Sequence, residues 1–286
     1  MDIYGVIGWP VEYSLSPVMH NAAFKELGID AEYRKFPVRP DQLEYFLVNR
    51  KDVVGFNITV PHKIKAKEIL YNDEAPSDIQ DGLHYVELCG AINTVKRDGD
   101  ELRYANTDVV GFLTSLEEDL RFNHTNKAVL LIGCGGAGRA VIAALGYGNA
   151  SSRKIYIYDN NSSVMKFTEE FFSQFSYLKD KLEFISGRKI PEVIKDCQLL
   201  VNASGIGMRE GDDSPVIDKA LLHKGLSVFE LVYNRGTRLI KDAKSLGLSV
   251  TGGLGMLLYQ GGHAFKFWTG KQAPVEVMRE ALLKAL

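Results

Sequence analysis

Gly133-Cys134-Gly135-Gly136-Ala137-Gly138 sets glycines at the G-x-G-x-x-G spacing, between the apolar run Ala128 to Ile132 and a helix-forming stretch from Ala137 to Tyr147. Strand, glycine turn and helix in that order are the context in which this spacing binds a dinucleotide. The missing side chains let the backbone turn tightly and approach a pyrophosphate, whose charge is met by free N–H groups and the positive end of the helix. Asp159 closes the next apolar strand, about 20 residues beyond the last glycine, where the fingerprint places an acid on the adenosine ribose. That carboxylate favours NAD, because a 2′-phosphate beside it is repelled by roughly 1 to 4 kcal/mol per pair of unit charges at effective dielectrics of 80 to 20. Arg153 and Lys154 stand at the other end of the strand, roughly 15 Å back at about 3.3 Å per residue. Arg139 follows the glycine turn directly and leaves NADP open. A ligand-free glycine turn and a solvated loop acid are the bland alternatives for the two features.

The remaining chemistry is harder to isolate. A lysine shielded from water can exchange a proton with a nearby hydroxyl, which makes Lys63 interesting, yet its neighbour His62 is as reasonable a base by residue type. Asp108 heads an amphipathic stretch, where an acid ordinarily complements the helix dipole for about 0.3 to 1 kcal/mol. The six histidines show no metal-ligand spacing and no His-Glu-x-x-His pair occurs, so no metal is expected. A Gly-Lys-Ser/Thr phosphate loop is also missing from the sequence.

The elements that must position these residues follow from periodicity. Ile3 to Ile7 reads as a strand, Val18 to Leu27 as a helix before Gly28, Val53 to Val60 as a strand, Pro61 to about Tyr71 as a helix and Ala91 to Lys96 as a strand. Strand and helix alternating in this way predict an α/β domain, ending near Asn106. Asp108 to Leu120 reads as a bridging helix with Asn106 or Thr107 as its cap. From Lys127 the order is strand, glycine turn, helix, strand at Lys154 to Tyr158, helix at Ser163 to Phe175, and strands at Leu199 to Asn202 and Ser227 to Leu231, which predicts a doubly wound sheet. Two apolar helices, Leu254 to Trp268 and Pro274 to Leu286, must pack on something already formed.

At 286 residues the chain suits two domains around a cleft. Its 34 basic and 36 acidic residues supply no broad electropositive field, so neither nucleic acid nor a membrane is an expected partner. Cys89, Cys134 and Cys197 have no paired spacing and read as reduced thiols. The N-terminus lacks the features of a signal peptide, and cytoplasmic localisation is expected.

Several blocks together resemble the shikimate dehydrogenase family over nearly the whole chain. They are Ile7-Gly8-x-Pro10; Ser14-Leu15-Ser16-Pro17 through His20-Asn21; Gly55-Phe56-Asn57-Ile58-Thr59-Val60-Pro61-His62-Lys63; Gly90-Ala91-Ile92-Asn93-Thr94; Asn106-Thr107-Asp108-x-x-Gly111; Asn202-Ala203-Ser204-Gly205-Ile206-Gly207-Met208; Val232-Tyr233; and Gly253-Leu254-Gly255-Met256-Leu257 to Gln260-Gly261. The resemblance implies a substrate-binding and catalytic domain of residues 1–107 and 253–286 around an inserted Rossmann dinucleotide-binding domain of residues 108–252. It also implies that the C-terminal helices pack back on the substrate domain. The implied reaction is hydride transfer between a nicotinamide cofactor and the ring alcohol of shikimate, with 3-dehydroshikimate as ketone, in a monomer or homodimer. Lys63 and Asp108 become the catalytic pair. Ser14 and Ser16 hold the substrate carboxylate with Tyr233 nearby, and Asn57, Thr59, Asn93 and Gln260 surround the ring hydroxyls. Ala203, Tyr233, Gly253 and Met256 lie near the nicotinamide. NADP-using relatives carry an Asn-Arg-Thr turn where this chain has Asp159-Asn160-Asn161, a change that resembles NAD-using quinate/shikimate members and makes quinate the second substrate candidate. Arg235 replaces a proline common after Val-Tyr-Asn. A nucleotide-sensing regulator that kept the fold and lost the chemistry is the rival from another class, and it should have lost Lys63 or Asp108.

Overall fold

In a computed structural model, which describes residues 1–71, 83–99, 101–209 and 211–286, the chain divides into two compact units. One comprises Met1–Gly111 with Leu257–Leu286, the other Phe112–Met256. The first unit carries β1 (Asp2–Gly8), α1 (Ser16–Glu26), β2 (Ala31–Pro37), α2 (Leu43–Asn49), β3 (Val53–Ile58), α3 (Lys63–Leu70), α4 (Leu83–Cys89), β4 (Thr94–Asp98) and β5 (Glu101–Ala105). Its sheet runs β2-β1-β3-β4-β5, with β1 parallel to both neighbours and β3, β4 and β5 antiparallel in succession. β1 is central and covered on both faces, so Tyr4 to Gly8 is buried without alternation. The sequence reading missed β5: its polar Glu101 and Arg103 alternate with Leu102 and Tyr104, as an edge strand with one wet face should. Gly99, at φ 64°, makes the turn that folds β5 onto β4.

Helix α5 (Asp108–Glu118) follows, and one division between the units falls within it. The second unit then holds β6 (Ala128–Ile132), α6 (Gly136–Gly146), β7 (Lys154–Tyr158), α7 (Ser162–Ser173), β8 (Leu182–Phe184), α8 (Ile190–Val193), β9 (Leu199–Asn202), β10 (Ser227–Glu230), α9 (Arg238–Ser245) and β11 (Val250–Thr251). All six strands are parallel in the order β11-β10-β9-β6-β7-β8, a doubly wound sheet whose switch point lies at β6 and β9. β6 is buried at every residue, the environment its unbroken Ala-Val-Leu-Leu-Ile run demands. The short elements β8, α8 and β11 were not expected, being too brief to show a period.

The second division falls within α10 (Leu254–Thr269), and α11 (Val275–Lys284) ends the chain against α1. Trp268 of α10 is buried and donates its indole N–H to the Val95 carbonyl at 2.9 Å, so the tail helices complete the core of the first unit. All three cysteines are buried. Among the described residues no helix is long and apolar enough to cross a membrane.

His20 of α1 lies inside this aromatic core. It stacks on Tyr33 at 4.5 Å between centroids and lies 5.2 Å from the Trp268 ring, and neither of its ring nitrogens has a hydrogen-bond partner among the described residues. Burial pushes its pKa down from 6.5 to about 3. Below pH 6.5 the unfolded chain therefore takes up a proton that the folded chain refuses until about pH 3, and stability falls as pH falls by up to roughly 1.4 kcal/mol per unit. His20→Phe should remove this component. Urea unfolding at pH 7.5 and 5 should show the variant gaining on the wild type at the lower pH, and parallel pH dependences would contradict the account.

Candidate active site

The sequence that follows β3 brings Lys63 to the start of α3, while Asp108 opens α5 after the Asn106 side chain accepts the Asp108 N–H at 3.0 Å. Lys63 Nζ and Asp108 Oδ2 meet at 2.5 Å, with side chains only 12% and 6% exposed. The Lys63 carbonyl accepts from Ile92 N–H at 2.9 Å, and the Asn106 amide donates to the Ala91 carbonyl at 2.9 Å, so both helix starts are pinned to the same segment before β4. His62, the rival base by residue type, faces the other way. Its Nε2 lies 2.7 Å from the Val38 carbonyl, which can only accept, and burial holds its pKa below the ordinary value. That bond leaves Nδ1 as an acceptor, but the residue is only 1% exposed.

A chain of amides surrounds this pair within the same unit. Tyr33 OH donates to Asn57 Oδ1 at 2.8 Å, and Asn57 Nδ2 donates to the Asn93 carbonyl at 3.3 Å and to Thr94 Oγ1 at 3.0 Å. The Thr94 hydroxyl donates to Asn93 Oδ1 at 3.0 Å, which also accepts Thr107 N–H at 2.8 Å. Asn93 Nδ2 donates to Thr107 Oγ1 at 3.0 Å, whose hydroxyl donates on to Gln260 Oε1 at 3.3 Å, while Gln260 Nε2 donates to the Leu257 carbonyl at 2.9 Å. Main-chain carbonyls accept only, so they fix which way the Asn57 and Gln260 amides face. Asn93 and Gln260 each keep one N–H for a ligand and Asn57 keeps an acceptor lone pair, a mixture suited to a polyhydroxylated ring. Ser14 Oγ donates to Ser16 Oγ at 3.2 Å and accepts Ser16 N–H at 3.3 Å, which gathers two buried hydroxyls at the positive end of α1. The Thr59 hydroxyl has no hydrogen-bond partner among the described residues, and its backbone joins the turn before α3. Tyr33 and Thr94 were not singled out from sequence, and Thr107 was read only as a possible helix cap; an isolated tyrosine or threonine carries no signal of its own.

In the second unit the glycine turn is tight enough to exclude side chains. A Cβ on Gly133, whose φ is 93°, would stand 2.5 Å from the Ala203 and Ser204 backbone, and one on Gly138 would stand 2.2 Å from the Gly133 carbonyl oxygen. A Cβ on Gly135 would meet nothing within 4 Å, so that face is open for a ligand to approach the backbone. Gly136 and Ala137 supply the first turn of α6. The Asp159 carboxylate closes the far side, accepting Cys134 N–H at 2.9 Å and Asn161 N–H at 2.8 Å. These residues fit the pyrophosphate and adenosine ribose of a dinucleotide. Arg139 does not join them as expected. It is 1% exposed, its Nε donates to Thr168 Oγ1 at 3.1 Å and its guanidinium lies over Phe167 and Phe171 at 4.9 and 4.8 Å, so it fastens α6 to α7. Ala203 and half-buried Tyr233 follow the C-terminal ends of β9 and β10, Gly253 packs where a Cβ would lie 2.0 Å from the Leu231 carbonyl, and Met256 is in the first turn of α10. Tyr233 thus belongs to this unit, whereas the serines, asparagines and Gln260 belong to the other.

Residues 6–95 match the family model described as the shikimate dehydrogenase substrate binding domain, and residues 253–283 match the shikimate 5′-dehydrogenase C-terminal domain. A curated relative, shikimate dehydrogenase (NADP(+)) of Methanopyrus kandleri, is 39% identical, the alignment covering 100% of this chain and 96% of the relative. The crystal structure of shikimate dehydrogenase from Aquifex aeolicus superposes with a TM-score of 0.84 at 32% identity, over 99% of this chain and 97% of that one. Quinate dehydrogenase from Corynebacterium glutamicum in complex with NAD gives 0.83 at 28% identity, over 99% of both chains.

Gly138→Ala should test the cradle. Forcing α6 off Gly133 is expected to weaken dinucleotide binding at least tenfold, about 1.4 kcal/mol or more, read by fluorescence titration, while the ion pair in the first unit is untouched.

Proposed function

The chain belongs to the shikimate dehydrogenase family, and on that premise we propose that it transfers hydride between a nicotinamide cofactor and the ring alcohol of shikimate, with Lys63 and Asp108 handling the proton. The observation that carries the reading is the buried Lys63–Asp108 pair set beside amides with unspent donors and an unspent acceptor. A bound nicotinamide supplies the acceptor for the hydride. In the oxidative direction the substrate hydroxyl lies against Lys63 and Asp108; its proton passes to Lys63 Nζ in the neutral amine form, which becomes the ammonium, as the carbon hydrogen leaves with its electron pair, and the ketone results. In the reverse direction the Lys63 ammonium returns the proton to the forming alkoxide. Asp108 holds Nζ in place and balances its charge, which a water-exposed lysine would lack. Ser14 and Ser16 take the carboxylate, and Asn57, Asn93 and Gln260 read the hydroxyls.

Asp159 supports NAD as the preferred cofactor. Its carboxylate is fixed at the glycine turn by two main-chain N–H groups, and Arg139, the nearest candidate clamp for a 2′-phosphate, is sequestered under α7. The Methanopyrus relative is an NADP(+) enzyme and the Corynebacterium quinate dehydrogenase is bound to NAD, so the family accommodates both cofactors. Quinate is the second substrate to test for the same reason.

Lys63→Ala should lower kcat by about 100- to 10,000-fold, the range lost with a proton-transfer group, and leave the cofactor Kd nearly unchanged. Full turnover in that variant would sink the assignment. Shikimate and quinate, each with NAD and NADP, should give the highest kcat/KM for shikimate with NAD. Asp159→Ser should raise kcat/KM with NADP by about tenfold or more by relieving the repulsion; a wild type that already prefers NADP tenfold would overturn the cofactor reading.

A further inference from the structure

Glu230, the last residue of β10, is fully buried. Asn202 Nδ2 donates to both of its oxygens at 2.9 Å, Val232 N–H donates to Oε1 at 3.0 Å and Thr237 Oγ1 donates to Oε2 at 2.9 Å. The amide and main-chain N–H groups can only donate, which is the surrounding an ionised carboxylate needs. Burial holds its pKa above the ordinary carboxylate value, and these hydrogen bonds offset only part of the rise. Other buried charges in the described residues are matched: Asp108 by Lys63, Asp242 by Arg238, and Arg139 by two aromatic faces. Glu230 has no cation beside it among the described residues.

Its position in the sheet gives that charge a use. The glycine turn follows β6 and Asp159 follows β7, which puts the adenosine half of a dinucleotide over β7. The other half must then run the opposite way across the switch point, over the C-terminal ends of β9 and β10. Those ends are Asn202 and Glu230, and the loops leaving them begin with Ala203 and Leu231. The oxidised nicotinamide ring carries a positive charge that the reduced ring lacks. We propose that Glu230 is a fixed counter-charge for the oxidised ring, biasing the affinity of the second unit toward the oxidised cofactor. This rests on the dehydrogenase reading above.

A structural role exists alongside. Asn202 Oδ1 also accepts Ser204 N–H at 3.1 Å and the Ser204 hydroxyl at 2.6 Å, and Thr237 caps α9, so the same network shapes both loops. Disordered loops, however, would weaken oxidised and reduced cofactor alike, whereas a lost charge acts on one of them.

Direct calorimetric titration of the full chain with oxidised and reduced NAD, without substrate, separates the two roles. In Glu230→Gln the ratio of the reduced-form Kd to the oxidised-form Kd should fall on the order of tenfold, the effect of one charge across several Å of protein interior. Glu230→Asp should keep the wild-type ratio, and Thr237→Val should raise both Kd values together. Glu230→Met reports the same ratio if the glutamine variant does not fold. An unchanged ratio in the charge-removing variants overturns the inference, as does an equal change of ratio in Thr237→Val. If neither form binds the wild type, the dehydrogenase reading itself falls and takes the inference with it.

Discussion

The contact between Lys63 and Asp108 constrains the first unit more than any other. Two long-separated helix starts must deliver opposite charges to one buried point, and a buried charge left without its partner is far more costly than the pair is stabilising. The chain meets that demand through backbone bonds from the segment before β4, which ties down both ends, and through the Asn106 side chain that caps the Asp108 turn. The amides lie on the same scaffold. Asn57 lies next to the end of β3, Asn93 precedes β4 and Thr107 precedes α5, so whatever fixes the ion pair also fixes the groups around it.

The second unit obeys a different constraint, close approach of backbone to backbone. Gly133 and Gly138 exist to let a strand end and a helix start touch, and any side chain at either position would push them apart. That local rule explains why the dinucleotide site was legible in the sequence: strand, turn, helix and acid are consecutive, and each is set by its neighbours. The doubly wound order followed from the same pattern. Arg139 was misplaced because its position in the chain is adjacent to the turn, yet the helix carries its side chain round to the opposite face, against α7.

The amide network of the first unit was not legible in that way. Tyr33, Asn57, Asn93, Thr94, Thr107 and Gln260 come from five separate stretches and meet only when the sheet and α10 are assembled. Taken singly, each is an ordinary strand-end or helix residue. The choice between His62 and Lys63 was equally closed to local reasoning and rested on the family resemblance; the structure adds that His62 is turned to the Val38 carbonyl. Ordered blocks shared with the family pointed to most of these positions, but Tyr33 and Glu230 lay outside that signal. An acid closing an apolar strand, as Glu230 does, was the one trace left in the sequence.

The amide chain from Tyr33 to Gln260 is directional at two points: the Asn93 and Leu257 carbonyls only accept, which sets the orientation of the Asn57 and Gln260 amides. Between them the Thr107 hydroxyl lies 3.3 Å from both Asn93 Oδ1 and Gln260 Oε1, and either of the Thr94 and Thr107 hydroxyls can donate to the other. The two hydroxyls are thus the adjustable parts of this network and the two amides its fixed ones: a hydrogen can be redirected along it by turning a hydroxyl, without turning an amide.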